Sequence, residues 1–418
     1  MESGTNERKF DMRAALDRYE STRAVRAESR LATALFFIPL GVWFCAIILW
    51  ASCYASFLTA FITVDEARGV LTGIKLACLF TLALRELVYG RRDMRSLIGF
   101  AIAVLLAGFA VFREGMISTI FSGILFIFLA RDIPFKRIAR FLLVEISVLV
   151  AFVVLSSLAG IIVDATVEES GRGVRHALGF VHPNTPGAFS FYIACLWAYV
   201  RGRKFSWADA VGMAVLSCAV FALTSSRSSF AVTILLVLTM TFARFVPRRV
   251  FTMRAVKLAA IGSIAAIAVV AIVLSVFYDP SVEWMSWLNK LSSRRFENGH
   301  EVIAQLGLLP FGQDVPYGGS GSYNRFTGQW GTPTWLIVDD IYVRLLVFYG
   351  PLFLAAVLAI CTATTARLYQ YRQMRALAIL VLIALHGVFE TCPADFMFNP
   401  FLLLLALPMA PPPKESSA

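Results

Sequence analysis

Charge is the scarcest property of this 418-residue chain: 16% of its residues are charged against 58% hydrophobic, and the mean hydropathy is +0.73. Soluble domains carry about a quarter charged residues, so a soluble globular enzyme is excluded. Cysteines number seven, but Cys45, Cys53, Cys78, Cys195, Cys218 and Cys361 lie inside apolar runs without the paired spacing of a disulfide framework or metal site. They read as small buried hydrophobes. A metal cluster, a Walker loop, a dinucleotide fingerprint and a nucleophile elbow are all missing, so neither a metal nor a cofactor is expected, and ATP coupling is not. Acidic residues at mid-membrane depth are few, which counts against a proton-coupled transporter.

What the chain does have is apolar runs of about 15 to 23 residues separated by short basic patches, the length a helix needs to cross a hydrocarbon core of about 30 Å. The windows predict an all-alpha, polytopic integral membrane protein with about twelve transmembrane helices. They fall near 31–53, 69–84, 97–112, 116–130, 141–163, 184–200, 209–225, 228–243, 256–277, 341–361, 376–389 and 396–410. The net charge of +11 would suggest nucleic acid in a soluble protein, but here it is read by location. With a cytoplasmic N-terminus, the inner segments hold 27 basic and 12 acidic residues and the outer ones 11 and 15, which sum to the observed 38 and 27. That asymmetry follows the positive-inside rule, so nucleic acid is not an expected partner.

Arg91, Arg92 and Arg95, then Lys136, Arg137 and Arg140, Arg201, Arg203 and Lys204, Arg244, Arg248 and Arg249, and Arg367, Arg372 and Arg375 read as inner anchors facing anionic headgroups. Residues 1–30 form a basic cytoplasmic tail, 31–410 the transmembrane unit and 411–418 a cytoplasmic C-terminal tail.

Residues 278–340 are the one large hydrophilic excursion, placed outside by this topology. The stretch from Trp284 to Leu309 mixes apolar and charged residues at the spacing of one or two interfacial amphipathic helices. The stretch Gly307 to Gly331 contains seven glycines with Tyr317, Tyr323, Phe326 and Trp330 among them and reads as a loop. Aromatic rings with flexible backbone suit a sugar-binding cleft, or else an interfacial belt with a linker.

Polar residues also stand where they are costly. Arg227, within Leu223-Thr-Ser-Ser-Arg-Ser-Ser229, falls at a tight outer turn between two apolar helices, where serines and helix ends offer a phosphate nest. Gly179-Phe-Val-His-Pro-Asn184 leads into another span and puts His182 and Asn184 in the outer polar layer. Asp339 and Asp340 precede a span that carries Tyr342 and Arg344 in its first turn; adjacent carboxylates diverge on a helix, so one caps it while the other meets an arginine or a sugar hydroxyl. His386 and Glu390, four residues apart, can share a helical face. Pro393 and Pro400 interrupt the C-terminal pair of spans.

These segments, together with Leu291-Ser-Ser-Arg-Arg295, Leu309-Pro-Phe-Gly312 and Asp339-Asp-Ile-Tyr342 leading to Gly350, resemble the Wzy-like oligosaccharide repeat-unit polymerases and their relatives the O-antigen ligases. The resemblance covers roughly residues 175–395, and the remainder agrees only in hydropathy. Such proteins often have Asp-Asn where this chain has Asp339-Asp340, which leaves open which carboxylate inherits the usual role.

The resemblance implies a GT-C-like, metal-independent, inverting glycosyltransferase of the bacterial plasma membrane, working on the outer face. It would join undecaprenyl-diphosphate-linked oligosaccharide units and release undecaprenyl diphosphate, among membrane lipids and beside a flippase and a chain-length regulator. Arg227 and one of Arg294 or Arg295 would stabilise the leaving diphosphate, with Arg344 in reserve. His182, His300, Glu297 and Asp339 are the candidate bases. Asn184, Arg295, Glu297, His300, Asp340, Tyr342 and Arg344 would contact substrate. The alternatives are ligase-like transfer to a different acceptor, and a lipid-linked glycan flippase or other transporter.

Overall fold

The computed structural model describes residues 30–115, 118–169, 173–243, 245–315, 321–331 and 336–409. The two predicted tails, apart from Arg30, lie outside the described residues, as do Arg244 and Tyr317. Among the described residues, seven helices are long and apolar enough to cross a membrane: α1 (Arg30–Ala51), α2 (Val64–Tyr89), α3 (Met94–Glu114), α5 (Phe135–Leu158), α7 (Trp207–Thr224), α9 (Arg254–Val276) and α12 (Ile341–Gln370). Shorter apolar helices stand between them: α4 (Thr119–Leu129), α8 (Arg227–Phe242), α13 (Met374–His386) and a 3-10 helix, Pro400–Met409. One further helix, α6 (Asn184–Arg201), has a polar first half and is largely buried among its neighbours. The protein is therefore an all-alpha membrane-spanning protein, with two small β-ribbons added at one end.

Capping explains why several helices outrun their apolar windows. Thr63 and Glu66 close a capping box that starts α2 five residues ahead of the predicted 69. Asp93 accepts from the Ser96 backbone N–H at 3.0 Å and starts α3. Within α1 the buried Phe36, Leu40, Trp43, Phe44, Ile47 and Ile48 recur at three- and four-residue spacing and pack on α2 and α5. Leu105, Phe80 and Val148 are among many apolar residues left exposed on the outer surface of the bundle, as expected where the surroundings are lipid. Helix α6 packs on α5, α7 and α8, and α9 packs on α12 and α13.

Contacts between helix ends fix the two ends of the bundle. At one end, Arg85 near the close of α2 donates to the Ala32 carbonyl of α1 at 3.2 Å and to the Leu129 carbonyl of α4 at 3.1 Å. Beside it Arg131 forms a two-armed ion pair with Glu86, one arm at 2.9 Å, and reaches Ser96 of α3. Arg131 is 1% exposed, so removing it leaves the part-buried Glu86 without its cation and Asp132 with only the more distant Arg91, at 3.8 Å. Arg131→Ala is expected to lose about 3–5 kcal/mol of stability. Reversible denaturation in mixed micelles checks this, with a loss under 1 kcal/mol against it.

At the other end, the residues after α1 meet the segment before α6, where the Cys53 N–H donates to the Gly179 carbonyl at 2.8 Å. The end of α7, the starts of α6 and α8 and the segment after α13 meet there too. Two short helices follow α9, α10 (Glu283–Leu291) and α11 (Arg295–Leu306); the exposed Trp284, Trp287 and Leu291 give α10 an apolar face.

Helix α12 contains one wide π turn, Leu345–Tyr349. The turn releases two carbonyls from the regular ladder: that of Val347 accepts from the Gln313 N–H at 3.1 Å and that of Phe348 from Arg113 Nε at 2.9 Å. The Leu309–Gly312 segment therefore lies directly against the helix. Gly312 and Gly350 both have positive φ, +71° and +85°, and a Cβ would stand 2.2 Å from the Phe348 oxygen at the first and 2.3 Å from the Pro310 oxygen at the second.

Between α13 and the last helix the chain is irregular but satisfied. Phe396 packs against Phe44 and Phe126, and Asn399 donates to the Pro393 carbonyl at 2.7 Å and accepts from the Phe401 N–H at 3.1 Å. Broken backbone of this kind is tolerated at membrane depth where protein surrounds it or a polar cavity borders it.

Candidate active site

The second of these ends encloses a cavity of about 590 Å³. Its wall begins at an antiparallel ribbon, β1 (Thr166–Glu169) and β2 (Gly173–His176), in which Val167 faces Arg175. The ribbon is followed by a turn with Leu178 and Gly179 at positive φ and is pinned by Asp164, which accepts from the Leu178 N–H at 2.8 Å. Arg175, whose side chain is 6% exposed, thereby enters the protein. It donates to the Thr224 carbonyl at 2.8 Å, to Glu169 at 2.7 Å and to Asn184 Oδ1 at 2.6 Å.

Asn184 relays this contact onward. Its amide donates to Glu390 Oε1 at 3.0 Å, and the same oxygen accepts from Ser228 at 2.9 Å and lies 3.9 Å from Arg295. Arg295 in turn is ion-paired with Asp339. One connected chain of polar contacts thus runs from Glu169 through Arg175, Asn184, Glu390 and Arg295 to Asp339, and all six residues line the cavity. Asp395 also lines it, and Trp330 closes one side by donating its indole N–H to the Thr166 carbonyl at 3.0 Å.

His182 lines the same space, and its Nδ1 accepts from the Asn184 N–H at 3.1 Å. The proton of the neutral ring is therefore assigned to Nε2. Burial, then Arg175 and Arg295, push its pKa down to about 4, so the imidazole is neutral at physiological pH and presents a donor. In this geometry His182 offers an Nε2–H donor from the cavity wall.

The adjacent arginines 294 and 295 part company because Ser293 and Arg294 both have left-handed backbone, with φ of 56° and 66°. Arg295 begins α11 and turns inward. Arg294 stays 66% exposed, paired with Glu297 at 2.7 Å, and Glu297 also accepts from Asn289 at 2.9 Å. Both residues thus serve the join between α10 and α11 and are outside the cavity wall. His300 is similarly used elsewhere, with Nδ1 3.1 Å from the Ser275 carbonyl at the end of α9.

Arg227 is exposed at the first position of α8, and it is the neighbouring Ser228 that reaches the cavity network. The helix start turns the arginine away from the cavity wall, which it does not line. Arg344 lies over the Phe348 ring and 4.0 Å from Glu114, and the Tyr342 hydroxyl donates to the Ala384 carbonyl at 2.7 Å; neither lines the cavity. His386 and Glu390 diverge as α13 ends, His386 into the core within 3.3 Å of Ser229 and Glu390 into the cavity.

The two aspartates do serve different partners. Asp340 caps α12, its Oδ1 accepting from the Tyr342 and Val343 N–H groups at 2.7 and 3.3 Å, while its buried Oδ2 has no hydrogen-bond partner among the described residues. Burial pushes its pKa up to about 7 from near 4, outweighing the cap and Arg295. The unfolded chain gives up this proton first as pH rises, so the group costs stability increasingly between about pH 4 and 7, and the cost is fully present above that. Asp340→Asn keeps a good cap and is expected to raise stability at pH 8 by on the order of 2 kcal/mol, with no gain at pH 4. Thermal melts across that range test it, and equal gains at both pH values would remove the titration from the account.

Arg175, Glu169 and Asp395 carried no site assignment from sequence. The available signal was a basic residue between acidic Glu168–Glu169 and the His182–Asn184 segment in an outer stretch. Among the described residues no group of three or more His, Cys, Asp or Glu side chains is arranged to hold a metal ion. Comparison of the chain with protein-family models, with curated proteins and with solved structures finds no match.

Proposed function

We propose that the protein is a membrane polysaccharide polymerase, an inverting glycosyltransferase that joins undecaprenyl-diphosphate-linked oligosaccharide units and releases undecaprenyl diphosphate. The observation that carries this reading is the pair of inward arginines, Arg175 and Arg295, held with Glu169, Asp339, Glu390 and Asp395 in one cavity. Guanidinium groups provide the planar donor forks that phosphate oxygens need, and low exposure raises their worth. The twelve helical segments would cross the bacterial plasma membrane in a GT-C-like arrangement, with cytoplasmic termini and the cavity on the outer face, in keeping with the positive-inside charge distribution. A flippase that delivers the lipid-linked unit and a chain-length regulator are the natural partners.

In this mechanism the diphosphate lies against Arg175 and Arg295. Its negative charge grows as the anomeric C–O bond breaks, so these contacts strengthen toward the transition state. The incoming diphosphate competes with Asp339 for Arg295 and leaves the carboxylate able to take the proton of the acceptor hydroxyl. The acceptor oxygen bonds to the anomeric carbon from the face opposite the leaving group, which inverts the configuration. His182 Nε2–H donates to a sugar or phosphate oxygen, and Trp330 offers a ring face to a hexose.

Purified protein supplied with one defined lipid-linked repeat, without nucleotide sugar, is expected to yield a ladder of lengthening products. A single addition onto a different acceptor would reassign the protein as a ligase. Movement of substrate across a vesicle membrane with no new glycosidic bond would make it a transporter.

A further inference from the structure

The ribbon β3 (Tyr323–Asn324) and β4 (Gln329–Trp330) supplies Trp330 to the cavity, but Arg325 at its tip lies at the end of α1. Its guanidinium carbon is 5.0 Å from the Trp50 ring and 5.1 Å from the Phe326 ring. The Nε atom is buried and has no hydrogen-bond partner among the described residues. Burial, with Arg68 acting in the same sense, lowers its pKa to about 10, so the group is still charged at neutral pH. No carboxylate of the described residues pairs with it; the surroundings are two rings, the Cys53 thiol and a second cation.

A part-buried guanidinium with a buried, unsatisfied Nε–H and no acid beside it is costly, and ring faces replace only part of its hydration. An anion would complete the site. The chain between Trp50 and Arg68 says which kind: in the link between α1 and α2, Phe57 and Leu58 are 49% and 41% exposed and Phe61 is 88% exposed, an apolar rim. A soluble anion has no use for that rim, whereas an anion carrying a hydrocarbon chain fits both parts.

We propose that Arg325, Trp50 and Phe326 form a second anion site, outside the cavity, that holds the phosphate of a net-anionic membrane lipid with its tail along Phe57, Leu58 and Phe61. The site does not depend on the glycosyl-transfer reading. Binding is a question of retention, not of turnover.

The test uses the full chain in nanodiscs of phosphatidylcholine and phosphatidylglycerol, extracted into mild detergent, with retained lipids counted by native mass spectrometry. Wild type is expected to keep about one more phosphatidylglycerol than Arg325→Gln, with retention weakened roughly tenfold in the variant and less in Arg325→Lys. Equal retention in wild type and Arg325→Gln, or no preference for phosphatidylglycerol over phosphatidylcholine, overturns the proposal. Displacement of the lipid by inorganic pyrophosphate at millimolar concentration would overturn the lipid source, since the tail would then contribute nothing. If Arg325→Gln does not fold, Trp50→Leu gives the same comparison with the charge intact.

Discussion

Arg295→Gln is expected to lower product formation by about 10²- to 10³-fold, the scale on which one preorganised donor to a developing negative charge acts. Arg295 is where the two halves of the polar network join, with Asp339 on one side and Glu390 on the other. Glutamine keeps a hydrogen-bond donor but loses the charge and the fork, so two carboxylates face each other across the cavity without a cation between them. Arg294→Gln removes the same chemistry one residue earlier, yet the effect expected is no more than a few-fold, because that side chain is exposed and paired with Glu297. Initial rates with a lipid-linked donor, measured on both variants, separate the two positions. Equal losses would mean that left-handed backbone at 293 and 294 does not decide which arginine acts.

Asp339→Asn is expected to reduce turnover by about 10²- to 10⁴-fold, the range associated with a positioned proton acceptor. Affinity for the lipid diphosphate should hold or improve, since asparagine competes less well for Arg295. A fall in kcat with KM unchanged is the signature of an interaction made in the transition state alone, and a KM that also falls reports release of the ground-state competition for Arg295. The matching Glu390→Gln change should act differently. Glu390 accepts from Asn184 and Ser228, so its loss loosens the wall and should raise KM as well. If Asp339→Asn turned over normally and Glu390→Gln did not, the proton would go to Glu390.

The parts legible in the sequence were those set by short-range rules. Apolar length located the seven helices long enough to span, and His182, Asn184, Arg295 and Asp339 all line the cavity. Where placement at a helix start differed from expectation, rotation was the cause. Successive residues at a helix start point about 100° apart, so Arg227 and Ser228 look in different directions although the motif names them together. Ser293 and Arg294 left no trace of their left-handed backbone, because neither is glycine. Arg175 was hidden for another reason: it stands on a four-residue strand whose partner is three residues away, too short a ribbon to announce itself by alternation. Of the predicted segments, the one at 116–130 is an 11-residue helix, α4, set among polar ends that other side chains satisfy.

The π turn of α12 has a consequence for how this sequence can change over time. The Gln313 backbone N–H and the Arg113 guanidinium each depend on a carbonyl that is free only because the helix is locally overwide, and Gly312 and Gly350 let the two strands of chain touch. A deletion that restored regular winding would withdraw both acceptors at once and leave two glycines without a purpose. Lineages descended from this protein should therefore keep or lose positions 113, 312 and 350 together, as a single inherited character and not as three independent sites.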